Sequence, residues 1–227
     1  FSSPRIHCQV IAVTTGNKTL TGDNQKEPVP KFNIIDWEPP VWVKTKFPYF
    51  HSGYDYDDKP VIVLQWGKWN TLPIVSKGGE DLQILNNYCD QFFARIQNGT
   101  YGKNHSNPKS NLEKTVDQTV LIIDLDGLNG DQLSSRSNVL YQIQFNGKMN
   151  KVRDYIAYGF QINVNPFGLF LLNAAKQSTS SLIDIMEIHG TNSAKWKPAL
   201  LRKIPFNQLP PQYGAKTGLW NMKQENI

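Results

Sequence analysis

Apolar residues along the chain follow two periods that alternate. Continuous apolar runs rich in β-branched and aromatic residues predict buried strands at 61–67, 119–125 and 155–164, and a shorter run predicts a strand at 184–190. Apolar residues spaced three and four apart predict helices that begin near Glu80, Asp131, Pro166 and Ser193. Because strands and helices alternate, the sequence predicts an α/β fold with a mostly parallel sheet and crossover helices.

The helical spacing also predicts which side chains face the core. In the helix that begins near Glu80, the inward residues are Leu82, Leu85, Cys89, Phe92, Phe93 and Ile96. In the helix that begins near Asp131, they are Leu133, Leu140 and Ile143. Both faces are expected to pack against the sheet.

The chain before the first predicted strand has no helical period. Residues 1–32 predict an irregular segment with at most a short strand near Cys8–Val13. The proline-punctuated aromatic stretch 37–50 predicts an extended arm, and 55–60 predicts a turn. The expected organisation is one domain over 33–214, preceded by the irregular segment 1–32 and followed by a tail at 215–227.

The helix predicted over 166–176 is apolar around nearly its whole circumference. One stripe consists of Phe167, Phe170, Leu171 and Ala174, while Leu169 and Leu172 place large apolar groups on the other face. Such a helix is either buried on both sides or a lid that covers an apolar cavity and touches a second apolar phase, such as a membrane surface. The pattern alone leaves both interpretations open.

The composition is that of a globular domain. Of the 227 residues, 39% are hydrophobic, which is enough to bury a sizeable core. The net charge of +5 is scattered, and the basic cluster at 195–203 is typical of a solvated helix face. No apolar run approaches the roughly 18 residues that a membrane span needs. Aromatic residues do not alternate with a basic groove, which disfavours nucleic acid as a partner.

Cysteines and glycosylation sequons bear on the compartment. Cys8 and Cys89 are too few for a disulfide framework, so two buried free thiols are expected, with a single bridge between them left open. Sequons at Asn17, Asn98 and Asn104 make these three residues candidate glycosylation sites. They favour a secreted protein slightly over a cytoplasmic one.

Two aspartates follow the second predicted strand, in "TVLIIDLDGLNG" (119–130). Asp124 and Asp126 lie at the carboxyl end of a buried strand, where open α/β sheets place their chemistry. The stretch resembles the "DxDG" opening of haloacid-dehalogenase phosphatases, but a match of four residues is weak, and the alternative is a strand whose polar end turns into a loop. The four histidines are far apart, and no metal-ligand spacing or nucleotide motif occurs, so neither a metal nor a cofactor is expected.

Six segments occur in an order and spacing that resemble the CRAL-TRIO lipid-binding family, which includes cellular retinaldehyde-binding, tocopherol-transfer and phosphatidylinositol-transfer proteins. They span 33–214, and the last resembles the closing motif of the family, with Ala215 in place of its second glycine. The segments are "FPYFHSGYDYDDKPVIVLQWGKWN", "KGGEDL", "VLIIDLDGL", "FQINVNPFGLFLLNAAK", "IDIMEIHGTN" and "LLRKIPFNQLPPQYG".

The resemblance implies a sheet floor backed by helices, an apolar pocket for one lipid-like molecule, and a mobile gate helix over 166–176. It also implies that the strand ending at Asp124 is structural, that the protein is not an enzyme, and that a phosphatase is only a remote alternative. The only "DD" pair, Asp57-Asp58, lies upstream of that strand, whereas a phosphatase would carry its further acidic residues downstream.

The family comparison also bears on the ligand. Phosphatidylinositol-transfer members have a "YPE" segment and a Thr and Lys that hold the headgroup; these positions become Val152-Arg153-Asp154, Leu182 and Ile185 here. Without that cradle, the expected ligand is a retinoid, tocopherol, carotenoid or sterol-like molecule, which the protein would carry or sequester. The alternatives are phospholipid or phosphoinositide transfer and a membrane-recruited regulatory module.

The expected cavity is larger than a few waters, and the polar segment 177–181 is the predicted hinge of the gate. Leu169 and Leu172 are expected on the gate exterior, in transient contact with a membrane. The predicted ligand-binding residues are Leu121, Ile123, Phe160, Ile162, Phe167, Phe170, Leu171, Ala174, Met186 and Ile188.

Overall fold

The computed structural model describes residues 33–102 and 118–214, apart from the side chains of 177–180. The predictions for 1–32, including Cys8 and Asn17, lie outside the described residues, as do those for Asn104 and the tail 215–227. None of the described helices is long and apolar enough to cross a bilayer.

A five-stranded sheet forms the centre of the described region, with its strands in chain order. The first strand pairs antiparallel with the second, and each later pair is parallel, which confirms the predicted α/β fold with a mostly parallel sheet. The strands are β1 (Tyr49–Tyr54), β2 (Pro60–Leu64), β3 (Thr119–Asp124), β4 (Ile156–Val164) and β5 (Met186–Gly190).

Six α-helices accompany the sheet in the described residues, and the parallel strands are joined through helices. A short 3₁₀ turn at Trp66–Lys68 follows β2, and another at Asp131–Leu133 precedes the fourth helix. The helices are α1 (Val41–Lys46), α2 (Leu72–Lys77), α3 (Gly79–Gln97), α4 (Arg136–Lys151), α5 (Pro166–Ile183) and α6 (Ser193–Leu201).

The prediction of an extended arm over 37–50 is wrong, because this stretch contains α1 and the start of β1. The predicted turn at 55–60 is confirmed: the Asp55 carboxylate accepts hydrogen bonds from the backbone of Asp57 and Lys59 at 2.9 and 2.7 Å. This turn joins β1 to β2 as a hairpin. Hydrophobic periodicity missed β1 because an edge strand of six residues with one covered face carries too few alternating positions to stand out.

The predicted end of the gate helix at residue 176 is wrong, because α5 continues through the polar stretch 177–181 to Ile183. A hinge in this stretch stays a prediction. The end of the helix is attached to α4. The Asn150 side-chain oxygen accepts hydrogen bonds from the Ser181 hydroxyl at 2.7 Å and from the Leu182 backbone at 3.1 Å. Because this attachment begins at the last residue of the polar stretch, tertiary contacts outweigh the low helix propensity of its serines and threonine.

Apolar clusters cover both faces of the sheet. One face, which includes Leu121 and Ile123, packs against α3, α4 and α5. The other face, which includes Phe160 and Ile162, packs against α6 and the segment that ends at Tyr213. All strands except the edges are therefore buried on both faces, as is typical of a parallel sheet.

Candidate ligand-binding site

A cavity lies between the sheet and the helices α4 and α5. Its walls are mostly apolar, Asn146 and Gln161 are its polar members, and no charged residue belongs to its lining. The lining residues are Leu64, Trp66, Ile123, Leu125, Phe145, Asn146, Met149, Gln161, Gly168, Leu171 and Leu172.

The cavity is small in this conformation. Its volume is about 20 Å³, which is room for about one water molecule. Sites for drug-sized molecules have volumes on the order of 300–1,000 Å³. The cavity is thus smaller than the carrier interpretation predicts, and a retinoid-sized guest fits only if part of the wall moves.

Helix α5 forms one wall of the cavity and lies close to the sheet. A Cβ added at Gly168 would meet Leu125 Cδ1 at 3.0 Å and Val164 Cγ1 at 3.4 Å, so glycine allows this approach. Asn165 caps the helix: its side-chain oxygen accepts from the Gly168 backbone at 2.9 Å. Its amide also donates to the Leu128 carbonyl at 2.6 Å, which ties the start of α5 to the loop after β3.

The sheet register separates the predicted floor residues. Parallel pairing places Leu121 beside Gly159 and Ile123 beside Gln161, so these residues face the cavity side. Phe160 pairs with Ile122 and therefore faces α6. The prediction that Phe160 and Ile162 belong to the cavity floor is wrong, because side chains of successive strand residues point to opposite faces.

Strand β5 provides the remaining floor positions. Met186 lies beside Gly159 and is buried against the same cluster as Leu121. Ile188 lies beside Gln161 on the edge strand and is 44% exposed, so it is not covered by α5 in this conformation. No described contact places Ile188 in the cavity lining, and its role in ligand binding stays a prediction.

The inward stripe of α5 begins one position later than predicted. Gly168, Leu171 and Leu172 line the cavity, and Ala175 continues the same face as a buried residue. The prediction that Leu172 lies outside is therefore wrong. Because Gly168 has no side chain, the first inward position of the helix is not apolar in the sequence pattern. The large residues alone therefore indicate an inward face that is shifted by one position.

The outward face of α5 carries large apolar side chains. Phe167, Leu169 and Phe170 are 43%, 50% and 53% exposed, and Ala174 is also exposed. Leu169 lies on the exterior, as predicted, whereas Phe167, Phe170 and Ala174 do not line the cavity. Membrane contact through this face stays a prediction.

Helix α4 provides a second wall of the cavity, which the sequence analysis does not predict. Phe145, Asn146 and Met149 line the cavity, whereas Leu140, which was predicted to face inward, is exposed. The buried face of α4 includes the polar residues Asn138 and Gln142, so its apolar pattern is incomplete. The spacing of Gln142, Phe145 and Met149 by three and four residues is the signal that identifies this face.

Asp124 is the centre of a buried hydrogen-bond network and is 7% exposed. One carboxylate oxygen accepts from the Tyr213 hydroxyl at 2.7 Å. The other accepts from the Asn163 amide at 2.8 Å and from the Asp126 backbone at 3.0 Å. Burial, and then the nearby Asp124 charge, raise the pKa of Tyr213, which keeps this hydroxyl a donor. These contacts give Asp124 a structural role at the end of β3.

The network extends to two further elements. The Tyr213 hydroxyl accepts from the Gln65 amide at 3.2 Å, and the Asn163 oxygen accepts from the Trp196 indole at 3.2 Å. Asn163 has a φ of 57°, a left-handed conformation that asparagine tolerates. No cluster of side chains suited to a metal ion occurs in the described ranges. Asp126 is exposed, and only its backbone N–H donates a hydrogen bond in this network.

The positions that correspond to a headgroup cradle are apolar or turned to solvent. Val152 and Leu182 are buried in the cluster beneath the helices, with Ile185 packed against it. The Arg153 guanidinium donates to the Ser181 carbonyl at 3.2 Å, and Asp154 is exposed. These residues offer no buried cation for a phosphate.

The described cysteine and sequon are both at or near α3. Cys89 is a free, buried thiol, as expected, and burial raises its pKa to about 12. Its sulfur lies 3.8 Å from the Tyr141 hydroxyl. Asn98 follows the last residue of α3 and is exposed, so a glycan has access to it. Glycosylation itself stays a prediction.

One family model matches this sequence. It is described as CRAL/TRIO domain and covers residues 44–214, from α1 to the residue after Tyr213. No curated protein sequence matches the chain. The matched region includes the whole sheet, the cavity lining and the Asp124 network.

Proposed function

The chain belongs to the CRAL/TRIO family, and we propose that it binds one small hydrophobic molecule between the sheet and α5 and carries or sequesters it. Family membership supports the binding of small lipophilic ligands in general. The observation that carries the finer proposal is the cavity itself, which has a mostly apolar lining without a charged residue and lies between the sheet and the helices α4 and α5.

Entry of the ligand requires α5 to move away from the sheet. The start of the helix is held by the Asn165 amide, which donates to the Leu128 carbonyl, and its end by the Asn150 side-chain oxygen, which accepts from the Leu182 backbone. Leu171 and Leu172 seal its middle through apolar contact. Apolar contacts are not directional, so a hydrophobic guest replaces them without leaving polar groups unpaired. The cavity then enlarges along the inward face of α5.

A retinoid, tocopherol, carotenoid or sterol-like molecule suits such a site. A guest that removes about 300 Å² of apolar surface from water gains about 7 kcal/mol at roughly 25 cal/mol per Å². This gain needs no charged partner, in keeping with the lining. Phosphoinositide transfer is less suited, because the cradle positions Leu182 and Ile185 are apolar. The family is generally non-enzymatic, and we propose the same for this chain.

The small volume of the cavity favours one second candidate. A membrane-recruited regulatory module would use the exposed face of α5, with Phe167, Leu169 and Phe170, and would hold no guest. In that case the seal between α5 and the sheet would stay closed.

Organic extraction of the purified protein, followed by mass spectrometry, tests the two candidates. The carrier proposal predicts one lipophilic species at about one molecule per chain, absent from a control protein purified from the same cells. The chain, stripped of lipid, should also take up a lipophile from vesicles. The regulatory module would instead be supported if no lipid is recovered from the purified protein or from the stripped protein after exposure to vesicles, while the intact chain binds to vesicles.

A further inference from the structure

Gln161 is a polar residue in the mostly apolar lining of the cavity. It lies in β4 beside Ile123, on the face covered by α4 and α5, and is only 4% exposed. Among the described residues, its side-chain amide makes no hydrogen bond, although it belongs to the cavity lining. A buried amide without a partner costs free energy, so a strand that keeps one at a core position has a reason beyond packing.

A second amide faces the cavity from α4. The Asn146 amide donates to the Gln142 backbone carbonyl at 2.9 Å, which orients the side chain and leaves its carbonyl oxygen without a hydrogen bond in the described ranges. One turn away on the same helix face, both polar atoms of the buried Gln142 side chain also lack a partner. The Asn146 carbonyl oxygen therefore gives the α4 wall a spare hydrogen-bond acceptor of the same neutral kind, and Gln142 lies beside it outside the cavity lining.

These amides differ from a site for an anion or a cation. A glutamine amide presents one acceptor and two donors and carries no net charge. A carboxylate or phosphate buried here would lose its hydration without gaining a positive partner, since no charged residue lines the cavity. A hydroxyl or carbonyl group, in contrast, is matched by the amide and has no charge to compensate.

We propose that Gln161, assisted by Asn146, binds the polar end of the ligand, and that this end is a neutral hydroxyl or carbonyl group. The inference rests on the proposed function and specifies its ligand class: a neutral lipophile with one hydrogen-bonding group, bound with that group on the sheet floor. The apolar body of the ligand lies against Leu171 and Leu172, where α5 has moved outward. In this orientation the polar end of the ligand is buried, whereas a phospholipid headgroup would be held at the protein surface.

The test uses phosphatidylcholine vesicles that contain matched probes in equal amounts, offered to the lipid-stripped full chain. The pairs are retinol with retinoic acid, α-tocopherol with α-tocopheryl phosphate, cholesterol with cholesterol sulfate, and β-cryptoxanthin with β-carotene. After gel filtration, mass spectrometry measures which probes the protein retains. We expect the hydroxyl member of the retained pair to exceed its partner at least tenfold.

The variants Gln161→Leu and Gln161→Met remove the amide while keeping a side chain of similar size, and both should lower retention of that probe about tenfold. Gln83→Leu, the same change at an exposed residue of α3, is the matched control and should behave as the unaltered chain. Thermal unfolding should show that the Gln161 variants are at least as stable as the parent. The substitution removes a buried amide that has no hydrogen-bond partner, and such an amide costs free energy in the folded state.

Equal or better retention of the anionic or hydrocarbon member would overturn this inference and leave the carrier function standing. Unchanged retention by both Gln161 variants would do the same and would identify Gln161 as a packing residue. Retention of no probe by the unaltered chain would overturn the proposed function, and this inference with it.

Discussion

Asp124 connects the end of β3 to β4 and to the closing segment of the domain through two hydrogen bonds, and it accepts a third from the Asp126 backbone in the turn after the strand. Asp124→Asn replaces one acceptor oxygen by an amide that cannot accept, so at least one buried donor loses its partner. The free energy of unfolding should fall by about 2 kcal/mol, measured by urea denaturation. Retention of a lipophilic probe should change less than a few-fold, because Asp124 is not part of the cavity lining.

Asp126→Asn is the matched control, because only the Asp126 backbone joins this network. We expect its effect on stability to stay within about 0.5 kcal/mol, as for other exposed substitutions. Equal losses for both variants would show that the turn, and not the network, is the stabilising feature. Magnesium-dependent phosphatase activity that disappears in Asp124→Asn would contradict the structural role.

Cys89 gives a pH-dependent prediction at the same scale. Burial raises its pKa to about 12, whereas an unfolded thiol has a pKa of about 8.5. Between these values the unfolded chain loses the thiol proton and the folded chain keeps it, so this residue lowers the free energy of unfolding as pH rises. In a Cys8→Ser background, iodoacetamide at pH 9 should label the protein only after denaturation. Labelling of the folded protein would show that α3 opens locally.

At the scale of elements, the outward face of α5 should affect transfer from membranes, and its inward face should affect ligand affinity. Leu169 is half exposed and Leu172 lines the cavity. Leu169→Asp should slow transfer of retinol from vesicles several-fold and leave its affinity in detergent unchanged, because the contact with the membrane is lost. Leu172→Asp should lower the affinity for retinol. It should also lower the free energy of unfolding by about 2–4 kcal/mol, because it places a charge without a partner in the apolar lining.

Stopped-flow transfer and equilibrium titration measure the two effects separately. Equal behaviour of the two variants in both assays would contradict the inward and outward assignment of these residues. Unchanged transfer for Leu169→Asp would show that the ligand enters at another part of the wall.

The attachment of α5 to α4 should control how readily the helix moves. Asn150→Ala removes the acceptor of the Ser181 and Leu182 hydrogen bonds and should lower the free energy of unfolding by about 1 kcal/mol. Ligand release should become several-fold faster, as measured by dilution of a loaded fluorescent probe. Asn87→Ala, which removes a hydrogen bond to Gln83 on α3, is the control and should leave release unchanged. An unchanged release rate for Asn150→Ala would mean that this end of α5 does not limit opening.

At the scale of the whole molecule, a bound ligand should stabilise the domain. Ligand at 100 times its dissociation constant adds about 2.7 kcal/mol to the free energy of unfolding. For a domain of this size, that corresponds to an increase in Tm of roughly 5–10 °C. Differential scanning calorimetry of lipid-loaded and stripped protein measures this shift. An identical Tm for both forms would indicate that the extracted lipid is bound outside the folded domain.

Much of the fold could be predicted from the sequence. Strands buried on both faces are continuous apolar runs, and β2, β3 and β4 were found in this way. The inward face of α3 was also predicted, because its apolar spacing is regular over about five turns. Elements of six residues, such as α2 and β1, were missed because a single turn or a short edge strand has too little pattern to distinguish it from a loop.

The sequence by itself determined the alternation of strands and helices, the capped start of α5 and its apolar character, because these depend on residues close together in the chain. Only the tertiary structure decided which residues share the cavity. Gln161 faces it, while Phe160 faces α6, because pairing with β3 sets the register and a shift of one residue exchanges the two faces. Likewise, Leu172 faces inward because Gly168 lets α5 approach the sheet, a contact between segments that no local pattern encodes.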